Sequence, residues 1–326
     1  MILSPRRIVS KLRPRGLQGN PLQLLTFRNK RNKLIPLIPI GRAPKVYGRM
    51  GNLEVRLARS RSDLRRAQKL RYEVFYEEMD AIPSASSMIS RRDEDPYDAQ
   101  CDHLLVVDYG DLRLDKRSWR RQPRVVGTYR VLRQDAAERA GGFYTQTEYN
   151  LKPLLATKNG DYHFLELGRS CVLKPYRNKR TLELLWHGIW AYVREHNVDV
   201  MIGCASVPGI DPKQHALALS FLHHHARAPK EWRARAHEKL YVDMNMMQAK
   251  DIDARAALKA MPPLIKGYLR LGAYFGDGAV IDRQFGTTDV MVILPVEAID
   301  ERYIGHFGGA DDPVVGPGLK GAVKPS

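Results

Sequence analysis

Arg71, in the segment Arg-Tyr-Glu-Val-Phe, constrains the fold of this chain more than any other residue. Counting about 100° per residue from Leu64, an apolar helical stripe takes in Ala67, Val74 and Phe75, and Arg71 falls inside it. A guanidinium on a buried face is costly unless carboxylates or carbonyls receive its donors. The helix must therefore dock against acceptors, and Arg71 is either a structural anchor or part of a site. Other charges also stand where a fold would ordinarily place apolar side chains. They are Asp95 and Asp98 in EDPYD, Arg130 in GTYRV, and Glu166 and Arg169 in ELGRS.

Composition narrows the class. The 326 residues suffice for a sizeable core, and 44% hydrophobic with 27% charged residues is ordinary for a globular protein. The net charge of +17 is not ordinary. Twelve Lys and Arg residues and no Asp or Glu lie in positions 1–50, so the rest of the chain is only mildly basic. This Pro- and Gly-containing stretch is expected to be a poorly ordered basic arm for an anionic surface. No run reaches the roughly 18 apolar residues of a membrane span, because Leu34–Ile40 is short and broken by Pro36 and Pro39. Arg6, Arg7 and Lys11 interrupt any secretory leader. Cys101, Cys171 and Cys204 lack CxxC spacing, which argues against a disulfide framework. The expected compartment is the cytoplasm, with the arm touching the inner membrane face.

Beyond the arm, apolar runs and alternation predict strands at 53–57, 103–107, 125–132, 164–173, 198–204, 273–281 and 289–294. Helices are expected from Ser62 or Asp63 through Arg71, briefly at 149–155, at 181–193, and across a helical region at 211–260. This order indicates an α/β or α+β fold: a mixed twisted sheet flanked by helices, with a C-terminal helical and strand extension. Residues 51–310 form the expected domain, and 311–326 a flexible tail.

Three features carry chemistry. Asp93, Glu94, Asp95, Asp98 and Asp102 crowd one loop, where Pro96 blocks a helix; the set suits an organic cation or a solvated acidic loop. The loop lacks the glycine and terminal glutamate of a calcium motif. In ELGRS, strict alternation would send Glu166 and Arg169 to opposite faces, unless a bulge at Gly168 brings them together and frees backbone N–H groups for an oxyanion. The basic turn with Arg177, Asn178, Lys179 and Arg180 leads into the apolar helix, an arrangement suited to phosphate or to solvent. His223–His225 reads as a polar helix end, since no partner stands at zinc-ligand spacing.

The order Arg71-x-x-x-Phe75, Asp95-x-x-Asp98, Gly127-x-x-Arg130 and Glu166-x-x-Arg169 resembles the acyl-homoserine-lactone synthases, whose fold is GNAT-like. The context over residues 53–307 is closer to their relatives, the ornithine acyl-ACP N-acyltransferases. It comprises CDHLLVVD, ELGRSCVLKPYRNKRTLELLWHGI, IGCASVPGID, MPPLIKGYLRLGA and FGTTDVMVILP. The resemblance implies transfer of a 3-hydroxyacyl chain from acyl carrier protein to the α-amine of L-ornithine, giving lyso-ornithine lipid. The basic turn YRNKRT departs from the usual GNAT pyrophosphate loop in having no glycine. That fits a single phosphopantetheine phosphate and puts coenzyme A in doubt as the donor.

On this reading Asp95 and Asp98 hold the side-chain ammonium, while Arg71 or Arg130 grips the carboxylate beside Phe75. Glu166, oriented by Arg169, is the general base, with His103 second. Backbone N–H groups near Cys171 and Val172 receive the oxyanion, and Cys171 is packing rather than a nucleophile. Arg177, Asn178, Lys179 and Arg180 meet the acyl donor, an acidic carrier protein. No metal and no separate cofactor are expected, and no nucleic acid. Two rivals remain: a signal synthase acting on S-adenosylmethionine, and a membrane- or nucleic-acid-binding protein with an inactive acyltransferase domain.

Overall fold

The computed structural model describes residues 45–115, 120–157 and 162–299. The body of the expected arm (1–44) and the expected tail (311–326) lie outside these described residues. In chain order the elements are β1 (Val46–Met50), β2 (Leu53–Leu57), α1 (Arg61–Tyr72), α2 (Ala85–Ser90), β3 (Asp102–Asp115) and β4 (Arg120–Arg133). Next come α3 (Gln134–Ala140), β5 (Tyr149–Asn150), α4 (Lys152–Thr157), β6 (Phe164–Val172), α5 (Lys179–Glu195) and β7 (Val200–Pro208). The chain continues with α6 (Ala216–His225), β8 (Arg235–Ala236), α7 (Ala254–Ala260), α8 (Pro263–Arg270), β9 (Tyr274–Asp282) and β10 (Thr287–Pro295).

The strands join in the order β1-β2-β3-β4-β6-β7-β10-β9-β8-β5. All pairs are antiparallel except β6–β7 and β8–β9. The expected mixed sheet is therefore present, and it begins earlier than the sequence suggested: Val46–Met50, inside the stretch assigned to the arm, pairs with β2. Its cations are neutralised locally, Lys45 by Glu195 and Arg49 by Glu54.

Helices α1 and α5 cover opposite faces of the sheet. Tyr129 of β4 hydrogen-bonds Tyr268, which packs edge-on to Trp186 of α5, while the neighbouring Arg130 faces the partners of α1. One apolar core gathers the strands at the β1–β4 end with α1 and α5. A second, built on Leu132, Phe164, Ile202, Met291 and Ile293, is closed by Phe143, Tyr149, Leu151 and Trp232. The expected helical region at 211–260 breaks up: α6 and α7 are its only α-helices, with short 3-10 turns elsewhere, and Ala234 and Ala236 between them pack into this second core. Extended backbone there completes the sheet through β8, which a continuous helix could not do.

Two irregularities shape the site. Pairing of β6 with β7 stops at Glu166↔Ile202, beyond which the strands part. In β6, Arg169 and Ser170 together oppose the single residue Tyr129, since Thr128 pairs with Cys171 and Arg130 with Gly168. That is a β-bulge.

Candidate active site

Ser60 caps α1 by accepting from Asp63 N at 3.1 Å, and the helix runs to Tyr72 before widening into a π turn over Glu73–Glu78. Its apolar face docks on β4 and β6, which carries Arg71 into the interior at 0% exposure. The acceptors it needs come from the acidic loop. Arg71 forks onto Asp98, Nη1 to Oδ1 at 2.9 Å and Nη2 to Oδ2 at 2.6 Å, and its Nε lies 2.8 Å from Asp93 Oδ2. Gln68 donates to Asp98 Oδ2 at 2.9 Å, and Arg130 reaches Asp98 Oδ1 at 3.2 Å and Asp95 Oδ2 at 2.6 Å. Asp95 Oδ1 meanwhile caps the turn Pro96–Ala99 through Tyr97 N and Asp98 N.

This geometry corrects the expected substrate cradle. Arg71 and Asp98 are buried and forked onto each other, and Arg130 spends its Nη1 on Asp95 and Asp98, so these side chains serve first as an internal ion network rather than an open cradle. Asp95 is likewise engaged by Arg130 and, at 3.3 Å, by Arg169. Neighbouring guanidinium groups hold both Asp95 and Asp98 below the ordinary carboxylate range despite their burial. Three Arg (71, 130, 169) and three Asp (93, 95, 98) form a neutral ionic core that ties α1 and the loop to the sheet. His103, cross-strand from Arg130, donates its Nε2–H to the backbone oxygen of Asp98 at 3.0 Å. Its burial lowers its pKa to about 4, so it stays neutral and enclosed rather than serving as a base.

The expected bulge exists, shifted by one residue. Gly168 has ordinary backbone; Arg169 itself takes the left-handed conformation, with φ 52°. That turn sends the Arg169 side chain to the face of Glu166. Its guanidinium lies between the rings of Tyr144 (5.2 Å) and Phe285 (4.8 Å). Phe75 packs edge-on to Phe285 at 5.6 Å, which makes it a support beneath Arg169 rather than a substrate contact. Glu166 is buried, and its oxygens accept from Tyr144 N at 2.8 Å, Thr145 N at 2.6 Å and Thr145 Oγ1. Burial raises its pKa. With both oxygens committed to the turn Tyr144–Thr147, Glu166 positions that turn and is not placed to touch an amine.

On the donor side, Leu173 N bonds Val126 O at 2.9 Å, so strand alternation turns the Val172 N–H the other way, toward the gap left by β7. Cys171 is buried against β4 with its thiol pushed up to about 12, in keeping with packing. Asn178 caps α5 by accepting from Thr181 N at 3.1 Å. Arg177 is held by Val172 O and Glu78, Arg180 donates to Met50 O at 2.6 Å, and Lys179 is 85% exposed beside Glu183. Of the four donor-binding residues expected here, Arg177, Asn178 and Arg180 are engaged within the protein, and Lys179 is exposed with Glu183 3.5 Å away. His224, in the triplet ending α6, bonds Met247 O at 2.9 Å.

One group was missed in the sequence. Glu148, Asp282 and Asp289 each bring a carboxylate oxygen within 4.8 Å of the other two. They come from the turn just before β5, the end of β9 and the body of β10, and only the folded sheet brings them together. Cys204 of β7 donates its Sγ–H to Glu148 Oε2 at 3.2 Å. Burial and the adjacent carboxylates raise Glu148 to about 7. All three cysteines are free, as expected, and no helix of the described residues is long and apolar enough to cross a membrane.

Comparison with known proteins places this geometry. Residues 70–187 match the model of an acetyltransferase (GNAT) domain, which runs from the end of α1 through the ionic core and the bulge into α5. An L-ornithine N(alpha)-acyltransferase of Agrobacterium fabrum is 51% identical over 83% of this chain and 90% of its own length. One from Rhodobacter capsulatus is 40% identical over 77% of this chain and 92% of its own. The solved structure of FeeM, an N-acyl amino acid synthase from uncultured soil microbes, covers 78% of this chain and 93% of its own, with TM-score 0.41 and 11% identity. Identity of this extent, with the GNAT domain set on the bulged strand and the parted β6–β7 pair, makes the chain a member of the L-ornithine N(alpha)-acyltransferase family, an acyltransferase.

Proposed function

We propose that this chain transfers a 3-hydroxyacyl group from the phosphopantetheine thioester of acyl carrier protein to the α-amine of L-ornithine, giving lyso-ornithine lipid. The observation that carries the reading is the 51% identity, over 83% of the chain, to a relative named for acylation of that amine. The geometry supports it. The β6–β7 pairing ends at Glu166↔Ile202, which leaves strand backbone beyond it for an extended thioester arm to line up against, and the Val172 N–H, turned away from β4, can receive the oxyanion as the carbonyl becomes tetrahedral. Arg169, raised on its left-handed backbone between Tyr144 and Phe285, borders the same space.

The acceptor nitrogen must lose protons to form the amide, and the carrier thiolate leaves as the C–S bond breaks. The exposed Lys179 at the start of α5 suits the donor's single phosphate. A turn without glycine, braced by Arg177 on Glu78, favours that donor over the pyrophosphate of coenzyme A. The membrane enters through the basic arm, which suits an enzyme whose product joins the bilayer.

The test is direct. Purified protein with L-ornithine and 3-hydroxyacyl carrier protein should yield N-acylornithine and free carrier thiol by mass spectrometry, with far lower turnover on the matching acyl-coenzyme A. Absence of N-acylornithine, or a lactone formed from S-adenosylmethionine instead, overturns the reading.

A further inference from the structure

Glu148, Asp282 and Asp289 are three carboxylates in mutual reach, and no Lys, Arg or His among the described residues forms an ion pair with any of them. The ionic core a few residues away does the opposite, pairing every carboxylate with a guanidinium. Asp289 is only 7% exposed, and its Oδ1 makes no hydrogen bond. The hydroxyls of Thr287 and Ser206 ease its charge from nearby, yet Thr287 Oγ1 also makes no hydrogen bond of normal geometry. A buried acceptor without a donor is an unfilled place for one. Glu148 and Asp282 are partly exposed, so the cluster can be reached from outside.

Its position fits the reaction. Asp289 pairs with Ser206 across β10–β7, and Cys204, which donates to Glu148, is two residues back along β7 on the same face. Strand β7 is one bank of the gap; the bulged β6, with Val172, is the other. Tyr144, whose hydroxyl lies 3.5 Å from Arg169 Nη2, starts the short helical turn that ends at Glu148.

We infer that this cluster seats the dibasic acceptor: Asp282 and Asp289 hold its side-chain ammonium, and Glu148 takes the proton that its α-ammonium must lose. The inference rests on the proposed reading of ornithine as acceptor. An α-ammonium ordinarily titrates near 8, about one unit above Glu148, so the transfer is nearly balanced. The neutral nitrogen then attacks the thioester carbonyl, the C–N bond forms and the C–S bond breaks. Of the two protons the nitrogen gives up, the carrier thiol ends with one and solvent receives the other through Glu148. The groups facing Glu148 are Cys204 on β7, Asp289 on β10, Asp282 at the end of β9 and Glu166 on β6. Burial and the three carboxylates hold its proton affinity high, while the S–H that Cys204 donates works the other way.

The full-length chain carrying Glu148→Gln, and separately Asp289→Asn and Asp282→Asn, tests this with acyl carrier protein as donor. Glu148→Gln should cut kcat about a hundredfold or more at little change in KM, and remove the acid limb near pH 7 from the kcat profile. Asp289→Asn and Asp282→Asn should raise KM for ornithine at least tenfold and erase the preference for ornithine over norvaline, which lacks the second amine. Both Asp variants should melt at or above the wild-type temperature, since they relieve like-charge repulsion. Wild-type kcat and pH profile in Glu148→Gln, or an intact preference in both Asp variants, overturns the assignment. If Glu148→Gln does not fold, Glu148→Asp replaces it, with the same loss expected because the shorter carboxylate falls short of the amine. Calorimetric titration with ornithine alone separates the two readings: a wild type that binds ornithine through these residues but does not acylate it rejects the function and keeps the seat. Binding of magnesium or calcium at the three carboxylates, with no ornithine binding, rejects the seat.

Discussion

Arg71 and Glu148 are both ionisable side chains in a largely apolar setting, and their fates differ because of what surrounds them. Arg71 has its donors filled by Asp93 and Asp98, so deleting it strands buried carboxylates. Replacing Arg71 by Met is therefore expected to cost about 3–5 kcal/mol in urea unfolding. The same network fixes the acid response. Asp95 and Asp98 titrate below their unfolded value of about 4, so the stability they contribute is complete above it and is lost as pH falls toward their folded values. The wild-type urea midpoint should hold from pH 7 to about 5 and drop steeply below about 4, and in Arg71→Met this acid drop should be much shallower. A steep drop of equal size in the variant would detach the acid response from the network. The sequence revealed these residues through one misplaced charge on a helix face, but charge type alone does not separate a substrate cradle from an internal ion network. The distances do. Glu148, Asp282 and Asp289 gave no local signal at all, since their proximity is created only by the strand order.

Among the elements, strands were the most legible, because apolar runs such as Leu104–Val107 and Val290–Leu294 are buried nearly whole. Strand β1 was not, since of its residues only Tyr47 is fully buried and its basic neighbours read as arm. The bulge was half legible: a break in alternation was needed, but glycine was the obvious carrier and arginine is the actual one. Two glycines turn this into a prediction. A Cβ on Gly203 would meet Leu167 O at 2.3 Å, just past the last β6–β7 pair. Gly203→Ala must push the strands apart there and should cost about 1–3 kcal/mol, with a matching fall in kcat/KM as the gap changes shape. A Cβ on Gly168 meets nothing within 4 Å and its backbone is ordinary, so Gly168→Ala should stay within about 0.5 kcal/mol of wild type. Thermal unfolding of the pair decides whether the parted strands or the glycine of the bulged strand matters. A large loss for Gly168→Ala would return the bulge to that glycine.

At the scale of the whole molecule the charge is divided by region. Of the twelve cations in residues 1–50, Lys45 and Arg49 are neutralised within the sheet by Glu195 and Glu54, which leaves ten in residues 1–44 with no acidic residue among them. Each basic side chain near an anionic leaflet contributes roughly 1 kcal/mol, so even a few engaged at once would hold the enzyme at a surface. None of the site residues described above lies in that stretch, and β1 starts after it. Deleting residues 1–44 should therefore weaken sedimentation with vesicles containing anionic phospholipid, while leaving turnover on ornithine and soluble acyl carrier protein within about twofold. Because the attraction is between exposed charges, raising salt from 0.05 to 0.5 M should release the full-length chain and barely affect the truncated one. Equal vesicle binding by the two proteins at low salt would place the membrane contact elsewhere. The first candidates would then be Ile82, Met88 and Ile89, large apolar side chains exposed on and beside α2.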